Sequence, residues 1–240
     1  LNIRLSPTDL EYIINHAGDR VIFADEDLLP LLEPLWGKIP CVELLVICRH
    51  GEGGESSFAN QIDYEDLIAD HPAAYDWPDI PETAPMGLCY TSGTTGNPKG
   101  VMYTNRSTYL HTLTESLTDS MGLSALDSLL GIVPMFHAMG WGLPFAASML
   151  GTKQVYPHRF MTPDSFLSLM QQEQVTISAG VPTIWQGVRA TLEANPDKFD
   201  LSKLQRLTCG GSAPPVEMMR WYWETFGVEM IQGWGMTETN

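Results

Sequence analysis

Short apolar runs and amphipathic stretches take turns along this chain. Runs at 21–24, 42–48, 86–90, 129–133, 154–156, 175–179, 204–208 and 228–231 are too short for helices and read as buried strands. Helical patterns lie between them. Ser6 ahead of Pro7 predicts a helix over 6–17, because the serine hydroxyl takes an orphan N–H and proline needs no donor in the first turn. Positions 27–36 and 64–69 read as further helices, Thr162-Pro163-Asp164 starts one over 165–173, Pro182 starts one that runs to 192, and Pro214 or Pro215 starts another. Leu110, Leu113, Leu117 and Met121 fall on one face of a helical repeat, which predicts a helix with its leucines turned inward. The glycine-rich 51–57 reads as a flexible turn and the proline-rich 71–85 as a connector. Strands alternating with helices imply an α/β fold, a largely parallel sheet covered by helices.

Composition narrows the picture by exclusion. A length of 240 residues suffices for one large domain or two small ones with a sizeable core. Thirteen basic against 29 acidic residues give a net charge of −16, so nucleic acid and anionic membrane surfaces are repelled as partners. A polyanionic ligand would need local compensation. No apolar run reaches the length of a bilayer span, and 143–151, among the longest, is interrupted by proline and polar residues. Cys41, Cys48, Cys89 and Cys209 show no CxxC spacing and read as free thiols of a reducing, cytoplasmic compartment. The six histidines form no HxxxH or His/Cys cluster, so a structural metal is not indicated.

Candidate chemistry concentrates in 90–100, Tyr-Thr-Ser-Gly-Thr-Thr-Gly-Asn-Pro-Lys-Gly. Gly93, Gly96 and Gly100 let successive backbone N–H groups turn toward one point, Thr91, Ser92, Thr94 and Thr95 supply further donors, and Lys99 adds a mobile charge. A strand-like run precedes the loop and a helical pattern follows, the order in which phosphates are commonly bound. The P-loop of kinases and GTPases does not fit. Five residues on from Gly93 stands Pro98, and Lys99 is followed by Gly100 where a magnesium-binding hydroxyl is needed. A plain surface linker fits poorly between a buried strand and an amphipathic helix.

This loop resembles the phosphate-binding signature of the adenylate-forming superfamily: acyl-CoA synthetases, peptide-synthetase adenylation domains and luciferases. Three further segments share the resemblance, in the family's order. Gln232-Gly-Trp-Gly-Met-Thr-Glu-Thr is similar to the adenine and magnesium motif, with tryptophan at 234 where many relatives carry tyrosine. Trp234 can stack on a purine, and Glu238 is a hard anionic donor for magnesium. Cys209-Gly-Gly-Ser-Ala-Pro-Pro resembles the loop that lines adenine. Pro134-Met-Phe-His-Ala-Met-Gly-Trp141 resembles the acid-binding region of bacterial fatty acyl-CoA ligases, where a histidine sits beside the carboxylate and a tryptophan gates the acyl tunnel.

The resemblance implies stacked, largely parallel sheets covered by helices, with 1–80 a partial amino-terminal α/β subdomain and 86–240 an incomplete ATP- and acyl-binding subdomain. It assigns Thr91 and Glu238 to Mg2+, and Ser92, Gly93, Thr94, Thr95, Gly96 and Lys99 to the pyrophosphate part of ATP. Thr237 falls to the α-phosphate, and Gly210, Gly211, Ser212, Gln232, Gly233, Trp234 and Gly235 to adenine. His137, Ala138 and Trp141 fall to the carboxylate and acyl chain, with His137, Thr91 and Glu238 as the catalytic set. The implied activity is ATP-dependent activation of a fatty acid to an acyl-adenylate and its transfer to coenzyme A, with room for a homodimer. The family's amino-terminal section, hinge and carboxyl-terminal lid domain have no counterpart here, which predicts a fragment that is inactive by itself. Two other readings stay open: an adenylate-forming ligase for a short, aryl or sulfur-containing acid or an amino acid, and a non-catalytic nucleotide-binding fragment.

Overall fold

Helix α1 (Pro7–Ala17) begins where the sequence predicts. The Ser6 hydroxyl accepts from the Asp9 N–H at 3.2 Å, Pro7 occupies the first turn, and the helix stops at Gly18 in the left-handed region. The structure is a computed structural model that describes residues 1–51, 54–91 and 96–239. The chain divides into two compact units, Leu1–Ile80 with Tyr90–Gly100, and Pro81–Cys89 with Val101–Asn240.

In the first unit, β1 (Val21–Asp25) leads into a helical stretch that contains α2 (Leu29–Leu32), with 3-10 turns at Glu26–Leu28 and Glu33–Leu35. The helix expected at 27–36 is broken into these pieces because Pro30 and Pro34 have no N–H to continue the ladder. β2 (Leu44–Cys48) follows, then β3 (Gln61–Asp63), a strand too short and polar to show in the sequence pattern, and α3 (Tyr64–Ala69), which falls where expected. The three strands form a parallel sheet in the order β1-β2-β3, with Val21 opposite Leu44 and Leu45 opposite Gln61. Leu10, Ile14, Leu29, Leu35, Leu45 and Ile47 pack its core.

β4 (Pro85–Thr91) and β5 (Lys99–Thr104) make a separate two-stranded sheet. This corrects two expectations. A strand, not a helix, follows the glycine-rich loop, and of β4 only Cys89 is buried because the small sheet covers it thinly. α4 (Asn105–Ser116) then starts at Thr104 in a reciprocal cap with Ser107. Its orientation is also a correction: Thr108, Thr112 and Glu115 are buried, while Leu110, Leu113 and Leu117 face outward. The helix also stops at Ser116, so Leu117 and Met121 of the expected face lie beyond it. Thr112 can go inside because its hydroxyl donates to the Tyr109 carbonyl at 2.7 Å.

The rest of the second unit alternates β6 (Ser128–Gly131), α5 (Ala138–Trp141), α6 (Leu143–Leu150), β7 (Lys153–Val155), α7 (Pro163–Gln172), β8 (Ile177–Gly180), α8 (Pro182–Ala194), β9 (Arg206–Cys209), α9 (Val216–Phe226) and β10 (Glu229–Gln232). The five strands form one parallel sheet in the order β10-β9-β8-β6-β7. Neighbouring residues point to opposite faces, so the sheet carries two cores. Leu130, Leu207, Trp185 and Tyr222 lie in the one shared with α7, α8 and α9, and Leu129, Ile177 and Ala179 in the one shared with α6.

Candidate functional site

The order of the five-stranded sheet places its switch point at β6 and β8. From β6 the chain crosses to β7 on one side, returns to β8 on the other, and continues outward to β9 and β10. In open parallel sheets, ligands bind outside the carboxyl ends of the strands at such a point. The loops leaving β6, β9 and β10 at that edge are the three segments singled out in the sequence of this unit.

The loop after β6 contains a strained turn. Ala138, Met139, Gly140, Trp141 and Gly142 all have positive φ, at 43, 53, 69, 59 and 78°. α5 is therefore a single left-handed turn, held by N–H groups of Gly140 and Trp141 that donate to the His137 carbonyl at 2.9 and 3.3 Å. Three of its residues carry a Cβ and cost about 1–2 kcal/mol each in this conformation. Such strain persists only where the surroundings over-determine it, and it gathers at functional sites. The turn leaves His137 exposed beside the Phe136 ring, at 4.7 Å between centroids, and half-buries Trp141 against the α6-side core.

Trp141 reaches the next loop. A Cβ built on Gly210 would lie 3.0 Å from Trp141 Cη2 and 3.2 Å from the Gly233 carbonyl oxygen. A side chain here would crowd the indole and the neighbouring backbone, so the position suits glycine. The Gly210 N–H donates to the Gly180 carbonyl at 3.2 Å, and the Gly233 N–H to the Cys209 carbonyl at 2.8 Å, so the turns after β8, β9 and β10 are stitched into one edge. Gly211 and Ser212 are exposed there. Burial pushes the Cys209 thiol up to about 11, which keeps it protonated and unreactive.

Beyond β10, Gln232, Trp234, Gly235 and Glu238 are exposed, Trp234 at 80% of its surface. The chain here is anchored from below. Tyr103 of β5, 2% exposed, donates its hydroxyl to the Thr237 carbonyl at 2.7 Å. Burial first, then the Cys89 thiol and the Glu238 carboxylate, raise the Tyr103 hydroxyl, so it remains a donor at neutral pH. The sequence reading missed Tyr103. Its signal was a lone tyrosine in a strand hidden behind the glycine-rich loop.

In the other unit, Thr91 ends β4 and Lys99 opens β5; the Thr91 hydroxyl donates to the Lys99 carbonyl at 3.5 Å. The Tyr90 hydroxyl and His16 Nδ1 of α1 share a hydrogen bond of 2.7 Å, which ties the start of this segment down. Gly96 and Lys99 are exposed. Ser92, Gly93, Thr94 and Thr95 lie outside the described residues.

Two more groups went unread in the sequence because a polar residue inside a helix ordinarily faces water. His111 and Glu115 of α4 lie against Gly142, where an added Cβ would stand 2.2 Å from His111 Nδ1 and 3.1 Å from Glu115 Oε2. Burial lowers the His111 imidazole and pushes the Glu115 carboxyl up to about 8. Alongside, α4 and α6 flank an open cleft of about 240 Å³ lined by Met86, Thr108, Tyr109, Phe145 and Met149 among others.

The chain matches the model for AMP-binding enzymes over residues 1–240. It is 43% identical to the medium-chain-fatty-acid–CoA ligase of Ectopseudomonas oleovorans over 239 residues, 99% of this chain and 43% of that one. It is 41% identical to the 3-methylmercaptopropionyl-CoA ligase of Ruegeria pomeroyi, covering 99% of this chain and 44% of the relative. The chain thus spans less than half the length of these curated relatives. Among solved structures, the anthranilate CoA ligase AuaEII in complex with anthranoyl-AMP superposes with a TM-score of 0.86 at 27% identity, over 99% of this chain and 45% of that one. A family match over all 240 residues, together with loops of the expected types gathered at the carboxyl edge of a parallel sheet, makes this chain a member of the AMP-binding enzyme family.

Proposed function

We propose that the whole protein containing this chain is an AMP-forming acid–CoA ligase that acts on a fatty acid in the cytoplasm. The observation that carries the reading is Trp141 packed on Gly210, which joins the acid-binding segment to the adenine segment at one strand edge. Residues 86–240 form the ATP- and acyl-binding subdomain in this reading, and 1–80 part of the subdomain before it. The acid carboxylate attacks the α-phosphorus of ATP, pyrophosphate leaves, and the thiol of coenzyme A then displaces AMP from the acyl-adenylate.

This chain's residues contribute position and charge. Gly210 yields its side-chain space to the Trp141 indole, and the exposed Gly211 carries no side chain, so a flat purine can approach the backbone there beside the exposed Trp234. Gln232, Gly233 and Gly235 complete that wall, and Ser212 flanks it. Thr237, its carbonyl fixed by Tyr103, presents its hydroxyl to the α-phosphate. The exposed Glu238 carboxylate is a hard oxygen donor of the kind magnesium takes, and Thr91 is assigned to magnesium by its motif alone. Magnesium, when bound, neutralises phosphate charge. The loop from Ser92 to Lys99 is assigned to the pyrophosphate part. His137 presents a polar edge to the carboxylate, while Ala138 and Trp141 supply apolar wall.

The test is pyrophosphate release by the full-length protein with ATP, magnesium and acids of graded length, with and without coenzyme A. Release that depends on a medium or long acid is expected, and Glu238→Ala should lower kcat by about 100-fold or more. An unchanged rate in that variant would remove Glu238 from the magnesium site. A second reading, a short sulfur-containing acid, is favoured by the 41% identity to the 3-methylmercaptopropionyl-CoA ligase. The same panel decides between them.

A further inference from the structure

Glu115 is an anomaly in the last turn of α4. It is 2% exposed, and neither carboxyl oxygen has a hydrogen-bond partner among the described residues; the same holds for His111 Nδ1 and Thr108 Oγ1 on the same side of the helix. Native structures rarely leave such groups unpaired without a reason. The two side chains meet the backbone at Gly142, the last residue of the left-handed run that begins at Ala138. That run has to be held from outside, because three of its residues are strained. α4 packs on α6, which starts immediately after Gly142.

We propose that Glu115, acting with His111 through the Gly142 end of α5, is a positioning residue that holds His137 and Trp141 in the arrangement that receives the carboxylic acid. The device depends on a proton. A protonated Glu115 carries one O–H donor, and the neutral imidazole of His111, one helical turn away, offers Nδ1 as acceptor. The two are not hydrogen-bonded as they stand; a small closure that puts the proton between them would satisfy His111 Nδ1 and one of the two carboxyl oxygens. An ionised Glu115 would lose the donor and bury a charge. Among the described residues, no Lys or Arg forms an ion pair with it. α6 carries no ionisable side chain, Arg106 of α4 is paired with Glu82 at 2.7 Å, the turn contributes His137, and the segment after α4 contributes Asp119 and Asp127, the latter paired with Arg206 at 2.8 Å. Burial pushes Glu115 up to about 8 and His111 down, which is the protonation pattern the pair needs at neutral pH. Above that range, ionisation expels the carboxylate, the support under Gly142 goes, and the turn relaxes.

The inference rests on the ligase reading for its substrate, and its second readout is independent of that reading. In the full-length protein, the KM for octanoate and for 3-methylmercaptopropionate is measured against pH in wild type and in Glu115→Gln, whose amide keeps a donor and cannot ionise. Wild-type KM should rise on the order of tenfold between about pH 8 and about pH 9.5, with kcat moving less, as the competent fraction falls. Glu115→Gln should stay flat over that range and lie within about threefold of wild type near pH 7. The same alkaline rise in both proteins would overturn the proposal. Melting temperature is followed in parallel. The folded state keeps a proton that the unfolded chain releases above the usual 4.5, so wild type should lose ground to Glu115→Gln as pH rises from 4.5 to about 8 and run parallel above it. Curves parallel throughout would overturn the buried proton. If no acid releases pyrophosphate, the ligase reading fails and the melting curves alone decide whether the pair works as stated.

Discussion

At Gly142 the backbone and two side chains compete for the same space. Its φ of 78° suits glycine, and an added methyl would overlap His111 Nδ1 at 2.2 Å. Gly142→Ala therefore meets a strained backbone and a ring that must move. The change should cost about 2–3 kcal/mol, larger than the cost of the left-handed conformation alone. Urea unfolding followed by far-UV circular dichroism measures it, and a loss under about 0.5 kcal/mol would mean that the turn can abandon its left-handed form freely. Trp185 shows the opposite kind of constraint. It is fully buried, its indole N–H donates to the Thr208 carbonyl at 3.2 Å, and its own carbonyl accepts from the Tyr222 hydroxyl at 2.8 Å. Both polar tips are satisfied inside an apolar core, so α8 and α9 are fixed against β9 and the glycine turn that follows it.

At the scale of elements, the amino-terminal end of the large sheet is tied by one carboxylate. Asp127, 7% exposed, accepts from the Ser124 N–H and hydroxyl, from the Thr176 hydroxyl at 2.6 Å and from Arg206 Nη2 at 2.8 Å. These partners stand ahead of β6, ahead of β8 and at the start of β9, so one side chain sets three strands in register while the loops at their other ends are left to bind ligand. Asp127→Ala removes the counter-charge of the part-buried Arg206, which keeps the Met121 carbonyl, and should cost about 3 kcal/mol. Combining it with Arg206→Met should cost less than the sum of the two single changes, and strict additivity in denaturant titrations would deny the coupling. Most elements were legible because caps and apolar runs act locally: Ser6 and Thr162 both accept from the helix N–H groups they precede, and the strands at 204–208 and 228–231 formed within two residues of the reading. What failed was non-local. The outward leucines of α4, the strand β5 and the left-handed α5 depend on which surface is packed and on φ values that Ala138, Met139 and Trp141 do not favour. In the candidate site, the glycine-rich and aromatic segments stood out by type. Tyr103, His111 and Glu115 did not, since isolated polar residues in regular elements carry no signal until the fold surrounds them.

Over the whole molecule, an excess of 29 acidic over 13 basic residues means that lowering the pH relieves repulsion and favours the fold on average. Glu33 works against that trend. Its carboxylate accepts from the Ser57 hydroxyl at 2.5 Å, the Ser57 N–H at 2.9 Å and the Trp36 indole N–H at 3.1 Å, and these bonds, the Ser57 hydroxyl first, lower it from 4.5 to about 2. The depressed group stabilises the fold fully above 4.5, and that contribution disappears as pH falls toward about 2. Because the general charge effect has the opposite sign, a single wild-type pH curve cannot isolate it. The difference between wild type and Glu33→Gln can. At neutral pH the variant should be less stable by about 1 kcal/mol, having exchanged charge-assisted bonds for neutral ones and turned an amide donor toward Ser57. That gap should narrow steadily below 4.5 and be nearly closed at about 2, as urea midpoints at successive pH values would record. A gap of constant size across this interval would mean that Glu33 titrates normally and that its three donors serve only to shape the loop.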